Sequence, residues 1–456
     1  MPTLSNKPTP VLRQTATAGE GKPSDNALLA SGSGTAMASV CAVGLFQIEQ
    51  LVGGLWAVGA VLLAGMLCLV LSRVFSRLMY VVPTGAGLIA YVSRALGKRH
   101  GVVAVAPYLM LMLFLVGFEA LIVGELFARL FTVPSYIGAL IFLIGTWAIC
   151  QAGLRIGYQA QAIATAGLFF SLIGISLLAL FAAGERGELQ SVLLKSDPGV
   201  FEFAAAVGQA LFLFMGFELL TSHVELAGKE SIKKAMSGSV WILIVFYSIV
   251  AMGISCLVID PSGSKQAFFV PQLAIAEQAG GTLTVAFIAV VCILASFSSF
   301  NGALLAMSRL TYALASQGVL PKHLAQLDPR TLTARSALNT LLILAVLLTS
   351  IIYLFAMYEA AIFAAAIAAA LVYAMACFIR ERQPFLEEKR SVIRRLAGIT
   401  LAMGLVGLAA GVLLDAREAT LETALLLIAT YGFALLAAIR AGKKSSDNKM
   451  VPKTAG

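Results

Sequence analysis

Charge is what this sequence has least of: Asp, Glu, Lys and Arg make up 12% of its 456 residues, against 59% hydrophobic ones. A soluble chain of this length would form about three domains, and a mean hydropathy of +0.92 excludes that. Histidine is nearly missing. His100, His223 and His323 stand singly at expected cytoplasmic span ends, where they are predicted to be solvated loop residues, not metal ligands. All six cysteines (Cys41, Cys68, Cys150, Cys256, Cys292, Cys377) fall inside apolar runs with no paired spacing in an external loop. This excludes a disulfide framework and a zinc site and makes them small packing residues. No His/Cys/Asp constellation is present, so no catalytic chemistry, metal or cofactor is expected. The net charge of +9 has no soluble basic face to occupy, which removes nucleic acid as a partner. The first 28 residues lack the apolar core of a signal peptide.

Long apolar runs, by contrast, dominate. Crossing the hydrocarbon takes roughly 17 to 25 residues, and such runs fall near 29–51, 53–76, 103–128, 134–151, 158–183, 203–222, 238–259, 283–312, 337–356, 359–379, 396–415 and 421–440. The expectation is an all-α integral membrane protein of 12 transmembrane helices. Basic residues gather in cytoplasmic loops, and with the amino terminus inside, 27 of the 32 Lys and Arg lie on that side. Arg129, Arg186, Lys195, Lys265 and Arg417 remain outside. The split would collapse if one span were lost, so count and orientation support each other. It predicts a multi-pass protein of the inner or plasma membrane with both termini cytoplasmic. Residues 1–28 read as a disordered cytoplasmic tail, and 441–456 as a second, lysine-rich tail. The segments between spans, the longest near 184–202, 260–282, 313–336 and 380–395, are short, so function must lie within the bundle.

Within the sixth run, Phe214-Met215-Gly216-Phe217-Glu218 places a glycine and a carboxylate where lipid offers nothing to either. Loosened backbone at that depth requires protein or a water-filled cavity beside it, and an intramembrane acid points to function. The first run has a weaker counterpart at Ala42-Val43-Gly44, about 172 residues earlier. Paired weak points in two halves are the mark of a transporter built from inverted repeats, although membrane glycines also serve packing. Between spans two and three, Val81 to Gly97, with Pro83, Gly85 and Gly87, reads as a re-entrant turn and an interfacial helix.

Three separated segments resemble the amino acid-polyamine-organocation (APC) superfamily of permeases. These are Pro83 to Gly87 with Tyr91 and Arg94 to Gly97; Phe214 to Glu218 with Glu225 and the basic turn Lys229 to Lys234; and Asn301 to Met307 followed by Ser308 to Pro321. The resemblance implies a LeuT-like fold of ten core helices in two inverted five-helix repeats, over 29–183 and 203–379. Two peripheral helices follow over 396–440, and the whole works by alternating access. It further implies that backbone groups of the broken first helix hold a substrate carboxylate and those of the broken sixth its amino group. On this sequence those positions are Ala42, Val43 and Gly44, and Phe214, Met215, Gly216 and Phe217, with Phe212 as a covering aromatic and Glu218 as a gating or protonation residue. Two departures stand out. Where the family carries Gly-Ser-Gly at the first break, this chain has Ala42-Val43-Gly44, its literal Gly32-Ser33-Gly34 lying one helical stretch earlier. The lysine that some members carry on span five would align near Leu168 and is missing.

Other intramembrane polar residues carry open alternatives. Glu119, mid-span three without a basic neighbour, is either a proton carrier, a partner for a cationic substrate group, or a structural acid bonded to another helix. Ser296, Ser298 and Ser299 offer hydroxyls for an ion, or bond their own backbone. Glu125 and Arg129, four apart, are expected to pair, and Glu49 is either vestibular or solvated. The predicted function is secondary transport of an amino acid or related small amine by proton symport or exchange. An organic amine or polyamine carrier is the alternative, and a membrane-embedded enzyme or sensor the remote one.

Overall fold

The computed structural model describes residues 23–194, 197–256, 271–382, 392–415 and 420–447, nearly all of them helical. Lys195, Lys265 and Arg417 lie outside these segments. Among the described residues, nine helices are long and apolar enough to cross a bilayer, and one bent pair makes a tenth span. The pair is α1 (Asp25–Ala36) and α2 (Ser39–Val52), meeting at 53°. There follow α3 (Gly54–Val81), α4 (Gly87–Leu96), α5 (Lys98–Phe131), α6 (Ser135–Ala152) and α7 (Leu154–Glu185). After the short α8 (Leu189–Leu193) come α9 (Val200–Phe212), a 3-10 turn over Phe217–His223 and α10 (Val224–Ala227), then α11 (Lys229–Cys256) and α12 (Pro271–Ser316). The chain continues as α13 (Arg335–Phe355), α14 (Tyr358–Arg382), α15 (Val392–Asp415) and α16 (Thr420–Asp447). Within α15 and α16 the described apolar stretches are Ile399–Leu413 and Thr420–Leu436, shorter than a full span.

Several boundaries differ from the sequence reading. The first helix begins at Asp25, not 29, because the Ser24 side chain caps it by accepting the Ala27 N–H at 3.2 Å. Helix α12 starts at Pro271, inside the stretch expected to be an external loop to 282, and α16 runs on to Asp447 past the expected tail boundary at 441.

The arrangement puts the broken spans in the middle. Helix α1 packs against α7, α11 and α12, and α2 against α9, α11 and α12. The α9 span is the most enclosed of all, whereas α7 turns Ile163, Phe170, Leu178 and Phe181 outward, as a lipid-facing helix must. Helix α15 covers α14 and α9, and α16 covers α5 and α14. The predicted interfacial helix is α4, which buries Leu88, Ile89, Tyr91 and Val92. Its preceding turn is tied down by Glu225, whose Oε1 accepts the Gly85 N–H at 2.9 Å, and by Gln317, whose amide donates to Thr84 Oγ1 at 2.9 Å. Residues from the three segments that carry the family resemblance therefore meet around this turn.

Candidate substrate site

The first span breaks at Met37–Ala38, not at Ala42-Val43-Gly44, which lie inside the continuous helix α2. The reason is a cap that comes from elsewhere. Ala38 adopts an extended conformation and has no side chain able to bond the first N–H groups of α2. Glu119, on α5, does so instead: its carboxylate accepts the N–H of Ser39 at 3.1 Å and that of Val40. Ser296 Oγ on α12 donates to the same carboxylate. Ser39 Oγ donates to the Cys292 carbonyl at 2.8 Å, and Tyr247 Oη donates to that of Ala36, holding both lips of the break. Gly32-Ser33-Gly34, which the sequence reading places one helical stretch too early, sits in the last turns before this break.

The sixth span breaks where the sequence predicts. Helix α9 ends at Phe212, and the chain turns through Leu213 to Met215 and restarts after Gly216. Gly216 has φ +118°, a left-handed conformation only glycine adopts without strain. A Cβ there would also lie 3.0 Å from Thr35 Cγ2, so the two breaks touch. Glu218 is buried and takes the Gly216 N–H at 3.1 Å, the Tyr373 hydroxyl at 3.0 Å and the Tyr108 hydroxyl. Phe75 and Phe217 complete the aromatic wall around it.

Between the breaks lies a cavity of about 30 Å³ bordered by Ala36, Ala38, Glu119, Phe212, Met215 and Ser299. Of the predicted site residues, Glu119, Phe212, Met215 and Ser299 thus come together around one space, with Gly216 immediately behind. Ala42 borders a different, larger cavity of about 160 Å³, almost wholly apolar, which shares Ala38 and Cys41 with the first. Its walls include Leu168, the position where a lysine is missing. Val43 is buried, and Gly44 backs onto Phe212, 3.5 Å from where its Cβ would be. The smaller cavity is the better match to a polar solute, because it alone exposes a carboxylate.

The three serines of α12 do not converge. Ser296 serves Glu119 and Ser299 faces the cavity, whereas Ser298, two residues on from Ser296, points to another side of the helix. There its hydroxyl meets Gln161 Nε2 at 2.8 Å and Thr165 Oγ1 at 2.9 Å, and both of those reach the Ala30 carbonyl. Asn301 Nδ2 closes the network by donating to Gln161 Oε1 at 2.8 Å. Sequence reasoning passed over Gln161, Thr165, Tyr108 and Tyr373, whose one signal was a hydrogen-bonding group in an apolar run, and met Asn301 only as the start of a family segment.

Remaining assignments divide. Glu125 and Arg129 pair at 3.2 Å as expected. Glu49 is structural: its carboxylate accepts the Gly54 N–H at the start of α3 and the Ser255 hydroxyl at 2.8 Å. His223 is not a solvated loop residue. The sixth span continues past its break, burying the imidazole against Tyr158 with ring centroids 5.8 Å apart.

Comparison with known proteins decides the family. The amino acid permease family matches residues 28–435. The chain belongs to that family. The family is one of permeases, transport proteins and not enzymes. Over 175 residues it is 30% identical to S-methylmethionine permease 1 of Saccharomyces cerevisiae, covering 35% of this chain and 30% of that one. It is 25% identical over 312 residues to the amino-acid permease RocC of Bacillus subtilis (65% and 66% covered). The gamma-aminobutyric acid permease of the same organism is 24% identical over 311 residues (64% and 66%). The chain thus spans between 30% and 66% of the length of these relatives. Two solved structures share the fold. One is a sodium-coupled sialic acid symporter (TM-score 0.54, 12% identity, 89% of this chain and 97% of that one). The other is Mhp1, a nucleobase-cation-symport-1 family transporter (TM-score 0.53, 16% identity, 93% and 94%).

Proposed function

We propose that this permease is a secondary transporter that carries an amino acid or amino-acid-derived small amine across the cell membrane by alternating access. The observation that carries the reading is the pair of broken spans enclosing a cavity with a carboxylate on its wall. Broken helices leave backbone groups unpaired in the membrane interior, which is tolerated where they line a substrate path. A cavity of about 30 Å³ holds about one water, so a substrate enters only when the surrounding helices separate. Rocking of one five-helix repeat, 29–183, against the other, 203–379, supplies that separation. The likeness in fold to the two solved transporter structures supports the inverted-repeat arrangement.

In this reading α15 and α16 are the two peripheral spans, completing twelve, and both termini face the cytoplasm. The predicted excess of Lys and Arg on that side supports this orientation. Glu119 and Glu218 are the residues for proton symport or for exchange. Filling of the Ser298 region by Gln161 and Thr165 favours a proton or a second substrate over sodium as the driving partner. Uptake by reconstituted proteoliposomes, under a pH gradient, a sodium gradient or an internal substrate load, tests the reading. Failure of every amino acid and amine to move or to stabilise the purified protein overturns it.

A further inference from the structure

The site has three features that an α-amino acid would not require together. First, the N–H groups that begin α2, the natural anion-binding end of a helix in this cavity, are occupied by the Glu119 carboxylate. Second, the two other helix ends that border the space, α1 at Ala36 and α9 at Phe212, are carboxyl-terminal ends, which favour positive charge. Third, Glu119 is buried and no basic residue borders the cavity, so the charge of its carboxylate has no fixed counter-ion on the wall. A buried charge held by hydrogen bonds alone, without a counter-ion, is costly, and an arriving cation lowers that cost. Next to it, sharing Ala38 and Cys41, is the cavity of about 160 Å³ lined by side chains such as Leu45, Phe46, Leu168 and Phe246, space for an apolar substituent.

From this arrangement we infer that the preferred substrate is a monoamine with an apolar substituent and no carboxylate, Glu119 holding the place that the carboxylate of an amino acid would take. The inference rests on the transport reading above and narrows its substrate class. The ammonium group lies against Glu119, with the Phe212 ring available for cation–π contact. The substituent extends past Cys41 into the apolar cavity. A zwitterion would bring its own carboxylate to within contact of Glu119, and like charges in a desolvated site repel.

The test uses the purified full chain and matched pairs of compounds: leucine against isopentylamine, phenylalanine against phenethylamine, and putrescine as a second cationic class. Thermal stabilisation is read first, because a ligand stabilises the folded state in proportion to its binding, and competition of labelled amine uptake second. Stabilisation by the two monoamines and not by the corresponding amino acids is the expected result. Stabilisation by the amino acids alone, or equally by both members of each pair, overturns the inference and leaves the transport reading standing. A response to putrescine exceeding that to the monoamines also overturns it, since the apolar cavity would then be idle. No response to any compound strikes the transport reading itself. Glu119→Gln should weaken monoamine binding by about thirtyfold or more, the scale of removing one partner of a buried charge pair. Glu119→Asp, which keeps the charge, should retain part of it, and equal binding by both variants and the parent protein overturns the assignment of Glu119.

Discussion

Glu119 caps a helix that starts 80 residues before it in the chain, at Ser39. One carboxylate therefore does two things: it closes the amino-terminal end of α2 and forms the acidic wall of the cavity. The helix cap and the cavity wall are coupled through it. Whatever changes its charge or hydrogen bonds alters the geometry of the first break.

Removing the side chain tests the structural half of that role. Glu119→Ala leaves two N–H groups and the Ser296 hydroxyl without their acceptor, and each unsatisfied buried group costs about 1–3 kcal/mol. The expected outcome is a fall of several degrees in the melting temperature of the detergent-solubilised protein, larger than for Glu119→Gln. Equal melting temperatures for both variants and the parent would remove the cap from the account.

Gly216→Ala tests the contact between the breaks. The residue sits at φ +118°, and the new methyl group would lie 3.0 Å from Thr35 Cγ2. A strained backbone of this kind costs about 1–3 kcal/mol, and the crowding adds to it. Uptake should drop sharply. Gly145→Ala, with nothing within 4 Å of the added methyl, should leave uptake close to that of the parent.

The network around Ser298 predicts indifference to sodium. Replacing external sodium by potassium should leave initial uptake rates unchanged in proteoliposomes. Gln161→Leu should instead reduce stability, since it strips partners from Ser298, Thr165, Asn301 and the Ala30 carbonyl at once. Sodium-dependent uptake by the parent protein would show that these hydroxyls can rearrange around an ion.

Outside the membrane, Asp328 organises the turn before α13. Its carboxylate accepts the N–H of Arg330 at 2.8 Å and of Thr331 at 3.2 Å and pairs with Arg335 at 2.9 Å. The two backbone N–H bonds, with the Arg335 charge adding less, hold it below the usual range for an aspartate. A lowered carboxylate contributes stability that is fully present above its unfolded value near 3.9 and is lost as pH falls through its folded value. Amide hydrogen exchange at Arg330 and Thr331 should therefore accelerate below about pH 4, beyond what the intrinsic chemistry of exchange predicts. In Asp328→Asn that additional acceleration should vanish.

The all-helical membrane class, most of the spans and the sixth break were legible in the sequence. Spans are legible because lipid forces each crossing to satisfy its own backbone over about 20 apolar residues, a pattern local to each segment. The sixth break was legible because Gly216 and Glu218 violate that pattern two positions apart. The first break escaped the same reading. Between Gly34 and Gly44 no residue marks the opening, and the small residues nearest the middle of the apolar run pointed to Ala42-Val43-Gly44 instead. His223 was misjudged for a related reason: its sequence position looks terminal, but the span bends at Gly216 and carries it inside against Tyr158.

By itself, then, the sequence determined that the chain crosses a membrane many times, that it belongs among permeases, and that its sixth span opens around Gly216. Only the tertiary structure decided where the first span opens and what faces the cavity. Both depend on Glu119 reaching Ser39 and Val40 across a helix interface. A hydrogen bond between distant segments has no period, spacing or local composition by which a sequence could announce it. The same bond holds the Glu119 carboxylate on the cavity wall.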